Sequence, residues 1–281
     1  MRAATSSHPE LAGFWLWRAK IETFLGLADA ARHSFERALE AERPERESLA
    51  EKVPSSRHPI SAEIWSEWGR FLLSRGDSQV GAQALEKAVE FDPSLSMARL
   101  ALIDHLLAAG HVDRARTSAL DAIAMHVETP MLLERLERIR QVEPSTPQIV
   151  EQYRTALSKT SKNVVIMNNL ATALTGLERF SESIEICRSA IQFMPDSPGI
   201  HATLAATLVA KGDAEGAIRE FEILRGLVPE SGDAAFKLGI LYARVGRIAD
   251  ARRQFEDMSR IGTPQEREAA AQLLKELSIQ P

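Results

Sequence analysis

Residues 198–231 read PGIHATLAATLVAKGDAEGAIREFEILRGLVPES, and residues 232–265 read GDAAFKLGILYARVGRIADARRQFEDMSRIGTPQ. Laid one over the other, Leu204-Ala205 meets Leu238-Gly239, Gly212 meets Gly246, Ala217 meets Ala251 and Phe221 meets Phe255. Each copy holds two runs of apolar residues at helical spacing. The glycine between the runs marks a turn, because glycine takes the left-handed cap conformation without steric penalty. The stretch therefore reads as a 34-residue unit of two short amphipathic helices, used twice.

The same phase extends toward the N-terminus. Gly76 and Gly110 are 34 apart, Gly110 falls 102 residues before Gly212, and Gly212 and Gly246 are again 34 apart; Pro195 and Pro229 keep the step, with Pro93 three units before Pro195. Ala88, Ala122, Ala156 and Ala190 form one ladder, Leu102, Leu136, Leu170, Leu204 and Leu238 a second, and Tyr153, Cys187, Phe221 and Phe255 a third. Six units run without insertion over 62–265, as 62–95, 96–129, 130–163, 164–197, 198–231 and 232–265. A divergent earlier unit, 12–45, carries Trp15, Ala19, Gly26, Ala31, Phe35 and Ala38 in equivalent places. The segment 46–61, with Pro54, Ser55, Ser56 and Pro59, reads as a linker, and 1–11 as a tail.

Unit 62–95 shows the grammar. Trp65, Trp68, Gly69 and Leu72 form one helical stripe and Gly81, Leu85, Ala88 and Val89 the other, with Gly76-Asp77 between them and Asp92-Pro93 as the stop. Gly69 and Gly81 lie where the two helices must cross closely. Unit 130–163 departs most: Glu137 stands where a small residue belongs, Arg140 where an apolar one belongs, and Pro144 replaces the turn glycine. Thr146 and Pro147 rebuild the next helix start, and the unit is expected to behave as a local hinge. In 12–45, Arg18 and Glu22 fall on the core stripe, and Phe14, Trp17 and Ile21 offer a competing one. In the favoured register Trp17 leaves the core and faces a groove or a partner. At the other end Thr263 caps a helix beginning near Pro264, whose Ala270, Leu273, Leu274 and Leu277 would cover the last pair; residues 266–281 complete this cap and tail.

Composition narrows the chemistry. The chain has 281 residues, 44% apolar and 26% charged, with a net charge of −5 that gives no electrostatic footprint for nucleic acid. Its one cysteine, Cys187, excludes a disulfide framework and sits at a core position. No phosphate-binding glycine loop and no H-E-x-x-H occurs. The histidines, His8, His33, His58, His105, His111, His126 and His201, show no repeating metal-ligand spacing, and read as surface or packing residues. No apolar stretch reaches the roughly 18 residues of a membrane span, and no signal peptide is evident, which points to a cytoplasmic protein. No catalytic residue, metal site or cofactor is expected.

With Trp65, Trp68-Gly69, Gly76, Ala88 and Pro93 in one unit, Leu204-Ala205, Gly212, Ala217, Phe221 and Pro229 in another, and Leu238-Gly239, Tyr242, Gly246, Ala251 and Phe255 in a third, the chain resembles the tetratricopeptide repeat family over about residues 12–265. The resemblance implies an all-α, right-handed α-solenoid of about seven helix-turn-helix repeats with a C-terminal capping helix. It also implies a non-catalytic scaffold or adaptor that binds a protein or peptide in a concave groove lined by the first helix of each pair. Registration places Arg70, Leu100, Asp104, Arg135, Arg138, Asn168, Asn169, Thr172, Thr203, Phe236, Lys237 and Ile240 in that groove. Asn169 matches the place where peptide-binding members hold a peptide backbone through an asparagine. The basic clamp of chaperone-binding members is absent: Ser66 with Arg70, then Leu100 with Asp104, stand in its places. Small residues in 198–231 leave a trough beside Phe236 and Ile240, and Arg135, Arg138 and Arg140 form a basic step, so an extended, partly apolar segment with an acidic group is the expected guest. The alternative is an accessory repeat segment of a larger enzyme or of an exopolysaccharide or export assembly; self-association through end faces also stays open.

Overall fold

The computed structural model describes residues 9–52, 59–125, 129–142, 144–160 and 162–279. Among them are fifteen helices and no strand, so the fold is all-α. Packing divides the chain into two compact units, Met1–Glu143 and Pro144–Pro281. The first contains α1 (Pro9–Phe24), α2 (Ala28–Lys52), α3 (Pro59–Ser74), α4 (Ser78–Phe91), α5 (Ser96–Ala108), α6 (Val112–Ala124) and α7 (Pro130–Val142). The second contains α8 (Pro147–Thr160), α9 (Val164–Gly176), α10 (Phe180–Phe193), α11 (Pro198–Lys211), α12 (Ala214–Leu227), α13 (Gly232–Arg244), α14 (Ile248–Ile261) and α15 (Pro264–Ile279).

Each unit is a helical-repeat stack. In the first, α1 packs on α2, α3 on α4 and α5 on α6, with α7 against α5 and α6. In the second the pairs are α9–α10, α11–α12 and α13–α14, with α8 on α9 and α15 on α14. The short links force neighbours to run antiparallel. The turns are copies of one another. The amide of Asp77 donates to Leu72 O at 3.0 Å, His111 to Leu106 O at 2.8 Å, Arg179 to Leu174 O at 2.9 Å, Asp213 to Leu208 O at 2.8 Å and Arg247 to Tyr242 O at 2.8 Å. This bond closes the helix end around a residue in the left-handed region. Gly76, Gly110, Gly212 and Gly246 fill that place, and Glu178 fills it at φ 59°. Pro144 cannot, because its ring locks φ near about −65°. There Ile149 N instead donates to Thr146 Oγ1 at 3.3 Å and Pro147 opens α8. The division between the two units falls at this altered turn.

The repeating ladders are the cores. Ala88, Ala122, Ala156 and Ala190, the five leucines from Leu102 to Leu238, and Tyr153, Cys187, Phe221 and Phe255 are all buried. Gly69 and Gly81 face each other across the α3–α4 crossing. A Cβ on Gly69 would lie 2.9 Å from Gly81 O, and one on Gly81 would lie 3.0 Å from Gly69 O. Between the first two pairs Phe35 touches Trp68 and Phe71 at ring distances of 5.4 and 5.5 Å. In the second unit Ser183 Oγ donates to Ala171 O at 2.9 Å, while Thr175 and Thr207 share a hydroxyl contact of 2.7 Å, so three polar side chains on α9, α10 and α11 satisfy one another.

Two boundaries differ from the sequence reading. Helix α2 runs on through Lys52 and α3 opens at Pro59, so the described parts of 46–61 are helical rather than linker. The run Glu45-Arg-Glu-Ser-Leu-Ala-Glu-Lys52 consists of good helix formers, which carry α2 onward. Helix α1 likewise takes in 9–11 of the expected tail. Pro54, Ser55, Ser56, His8, His58 and His126 lie outside the described residues. In α1 the core stripe is Ala12, Leu16 and Ala19, with Trp15 half-buried; Phe14, Trp17 and Ile21 are exposed. Arg18 points to water, and buried Glu22 receives Arg18 Nε at 2.7 Å and Ser34 Oγ at 2.6 Å. At α15, Thr263 N donates to Glu266 Oε2 at 2.7 Å and Glu266 N to Thr263 Oγ1 at 3.4 Å, a reciprocal cap.

Candidate functional site

The first helices of successive pairs carry the candidate residues, and the 34-residue step repeats the same helical positions from pair to pair. In the second unit this gives a concavity. Ala206 and Val209 on α11 face Phe236, Lys237, Ile240 and Arg244 on α13, and Phe221 and Leu241 close the space behind, enclosing about 480 Å³. Ala206 is the cause: a methyl at that position leaves the two helices unbridged. The size suits an apolar side chain with some backbone on either side. Its edge is cationic. Lys237 Nζ pairs with Asp233 Oδ2 at 2.7 Å but keeps half its side chain in water, while Arg244 is exposed and makes no ion pair among the described residues.

Next to the trough, Thr203 Oγ1 donates to Asn168 Oδ1 at 2.7 Å, linking α11 to α9. Thr172 Oγ1 turns back to the Asn168 carbonyl at 3.0 Å. Asn169 differs from expectation: only 2% of it is exposed, and its Nδ2 is buried without a hydrogen-bond partner. One residue is a step of about 100° around a helix. That step turns Asn169 into the packed seam while Asn168 stays at the surface.

The first-unit candidates are mostly committed to one another. Leu100 is 5% exposed and belongs to the core rather than a groove wall. Asp104 on α5 accepts Arg135 Nε at 3.1 Å and Nη2 at 2.7 Å from α7, and Arg138 Nη1 lies 3.5 Å from the same carboxylate. The hydrogen bonds to Asp104 raise the Arg135 guanidinium above its ordinary range against the opposing effect of burial. Arg140 Nε donates to Glu137 Oε2 at 2.9 Å. The expected basic step is thus largely neutralised from within. Arg70 is exposed and lies 3.2 Å from Glu67. Phe221 and Leu241, which back the trough, are legible in the sequence only as core-ladder residues; that they also border an opening depends on the helix spacing.

Among the described residues no group of three or more histidine, cysteine or carboxylate side chains could hold a metal, and no helix is long and apolar enough to cross a membrane. Burial raises the Cys187 thiol to about 12, with Glu220 adding to the rise and Ser183 opposing it, far from a reactive thiolate.

Two family models, each described as tetratricopeptide repeat, match residues 164–194 and 203–267. No curated protein matches the sequence. Similar solved structures include MamA 41-end from Desulfovibrio magneticus RS-1, at 12% identity, covering 72% of this chain and 94% of that one with a TM-score of 0.44. YrrB, described as a TPR protein with an unusual peptide-binding site, is 15% identical, with 80% and 96% covered and a TM-score of 0.44. TTC0263, a thermophilic TPR protein in Thermus thermophilus, is 15% identical, with 76% and 98% covered and a TM-score of 0.43. The matched segments fall on the helix pairs α9–α10 and α11–α14 and keep the 34-residue phase of the remaining pairs, and over these segments the chain carries tetratricopeptide repeats.

Proposed function

We propose that the chain is a non-enzymatic scaffold that binds an extended peptide or protein segment along α9, α11 and α13, seating an apolar side chain between α11 and α13 and an acidic group at Arg244 and Lys237. The observation that carries this reading is the 480 Å³ trough, apolar inside and cationic at its edge. Burying one leucine or phenylalanine side chain there would contribute about 1.5–3 kcal/mol, and the carboxylate would set the direction of the segment. Asn168 and Thr203, at the surface beside the trough, offer donors and acceptors to the bound backbone. The proposal moves the acidic contact from the Arg135–Arg138 step, where Asp104 already answers the charge, to Arg244.

The test is affinity capture with the intact chain, followed by titration of the captured segment into Ala206→Trp, Arg244→Glu and Arg138→Glu variants. Filling the trough and reversing its edge charge should each weaken binding at least tenfold, while Arg138→Glu leaves it unchanged. Unchanged affinity in the first two variants, with their folds intact, would sink the assignment.

A further inference from the structure

Helix α1 is apolar on two opposite sides. One side, Ala12, Leu16 and Ala19, is packed against α2 and α3. The other carries Phe14, Trp17, Ile21 and Phe24, exposed by 51%, 62%, 37% and 90%, with Leu25 and Leu27 exposed beside them. Steps of three and four residues place those four side chains on one stripe. A helix apolar all round is built to be covered all round.

The repeat identifies what kind of face this is. Phe14 and Ile21 occupy the positions that Ile64 and Phe71 hold on α3, 50 residues later. There Ile64 is 0% and Phe71 5% exposed, because they dock on the preceding pair, Phe71 against Phe35. Ile200 and Leu241, at the same positions in the second unit, are buried too. The exposed stripe on α1 is therefore a stacking face that carries stacking residues and has no pair in front of it among the described residues.

We infer that this face is the contact surface between two copies of the chain, joined α1 to α1 about a twofold axis. The spacing is its own complement. Phe14 and Phe24, and Trp17 and Ile21, are symmetric about position 19, so an antiparallel α1 from a second copy sets Phe14 opposite Phe24 and Trp17 opposite Ile21, the self-complementary match that a twofold contact requires. The extent is sufficient. At about 150–250 Å² for a whole aromatic side chain, the three aromatics offer on the order of 400 Å². Ile21, Leu25 and Leu27 bring the patch close to the roughly 800 Å² per partner of a stable interface, above the few hundred Å² that monomers usually leave exposed. Flanking charges do not oppose it, since Arg18 pairs with Glu22 at 2.7 Å and Lys20 with Glu63 at 3.1 Å. Head-to-tail stacking on the other end is disfavoured, because the outer face of α15 presents Glu268, Gln272, Lys275 and Glu276 to water.

Light scattering of the full chain, coupled to size exclusion between about 1 and 100 μM, tests the inference. The expected mass is twice 31.0 kDa. The Trp17→Glu/Phe24→Glu variant should run at half that mass with unchanged helicity, as both side chains are exposed in the single chain. An equimolar mixture of Trp17→Cys and Ile21→Cys chains, whose substituted positions face each other across the twofold axis, should give a covalent dimer on mild oxidation, the native Cys187 being buried. A monomer throughout the range, a double variant that still dimerises, or a dimer in which the mixed Trp17→Cys and Ile21→Cys chains cannot be cross-linked would overturn it.

Discussion

Arg99 and His201, 102 residues apart and hence at the same place in repeats three units apart, hold the same atom. Arg99 Nε donates to the carbonyl of Pro93 at 2.8 Å, and His201 Nε2 donates to the carbonyl of Pro195 at 2.7 Å. Both side chains are buried, and each ties the start of a first helix to the proline that ended the pair before it. Their remaining groups differ. Arg99 also reaches Ser118 O at 3.3 Å and Met125 Sδ at 3.4 Å, whereas His201 Nδ1 faces Glu220 Oε2 at 2.7 Å. Burial lowers the Arg99 guanidinium below its ordinary range, and Asp121 partly restores it.

Removing either brace takes the hydrogen-bond partner from that carbonyl and leaves a void where a buried side chain packed. His201→Ala and Arg99→Ala should each lower stability by about 1–3 kcal/mol, read as an earlier midpoint in urea denaturation followed by circular dichroism. A wild-type midpoint in both variants would show that the braces contribute nothing.

Glu178 sits at φ 59° in a turn where five other units use glycine. A side chain in that conformation costs roughly 1–2 kcal/mol, partly offset by glycine's greater freedom when unfolded. Glu178→Gly should therefore stabilise the chain by about 0.5–1 kcal/mol. Gly246→Ala should destabilise by a similar amount although nothing lies within 4 Å of its added carbon. Denaturation midpoints that move in the same direction for both would contradict this account.

Two helical glycines separate crowding from propensity. On Gly69 an added Cβ meets Leu85 Cγ at 2.8 Å and Gly81 O at 2.9 Å, while on Gly226 it meets nothing within 4 Å. Gly69→Ala should cost about 1–3 kcal/mol by overpacking, and Gly226→Ala should add about 0.5–1 kcal/mol by helix propensity. Thermal melts of the two variants, shifted down and up respectively, are the expected pair.

Cys187 should be silent toward thiol reagents while the second unit is folded. Its pKa of about 12 leaves almost no thiolate near neutral pH, and the sulfur is buried. Labelling with an aromatic disulfide reagent should follow the rate of unfolding and accelerate sharply in urea. Fast labelling under native conditions would mean that α10 opens locally.

The 34-residue phase is readable because every pair buries the same positions, so Ala, Leu and aromatic ladders recur wherever the pairs stack. The trough beside Phe236 and Ile240 is readable for a related reason: Ala202, Ala206 and Val209 are small where a neighbouring helix presents large side chains. Other residues escape the reading because their surroundings come from a different helix. Leu100 and Asn169 lie at registered groove positions yet are buried, and Arg135 reads as free positive charge although Asp104, 31 residues earlier, holds it.

Helix periods, turn glycines and the ladder of small and large core residues are local or repeated properties, and they suffice to specify an all-α chain of helix pairs with a capped C-terminus. Which charges cancel, which polar side chains are buried, and where an apolar face is left uncovered are properties of pairs of helices that meet at a particular spacing and rotation. The same alternation of apolar residues that seals Ile64 and Phe71 into a core leaves Phe14 and Ile21 in water on α1. Nothing in the residues themselves distinguishes the two cases; the presence or absence of a packed neighbour does, because burial is a relation between surfaces.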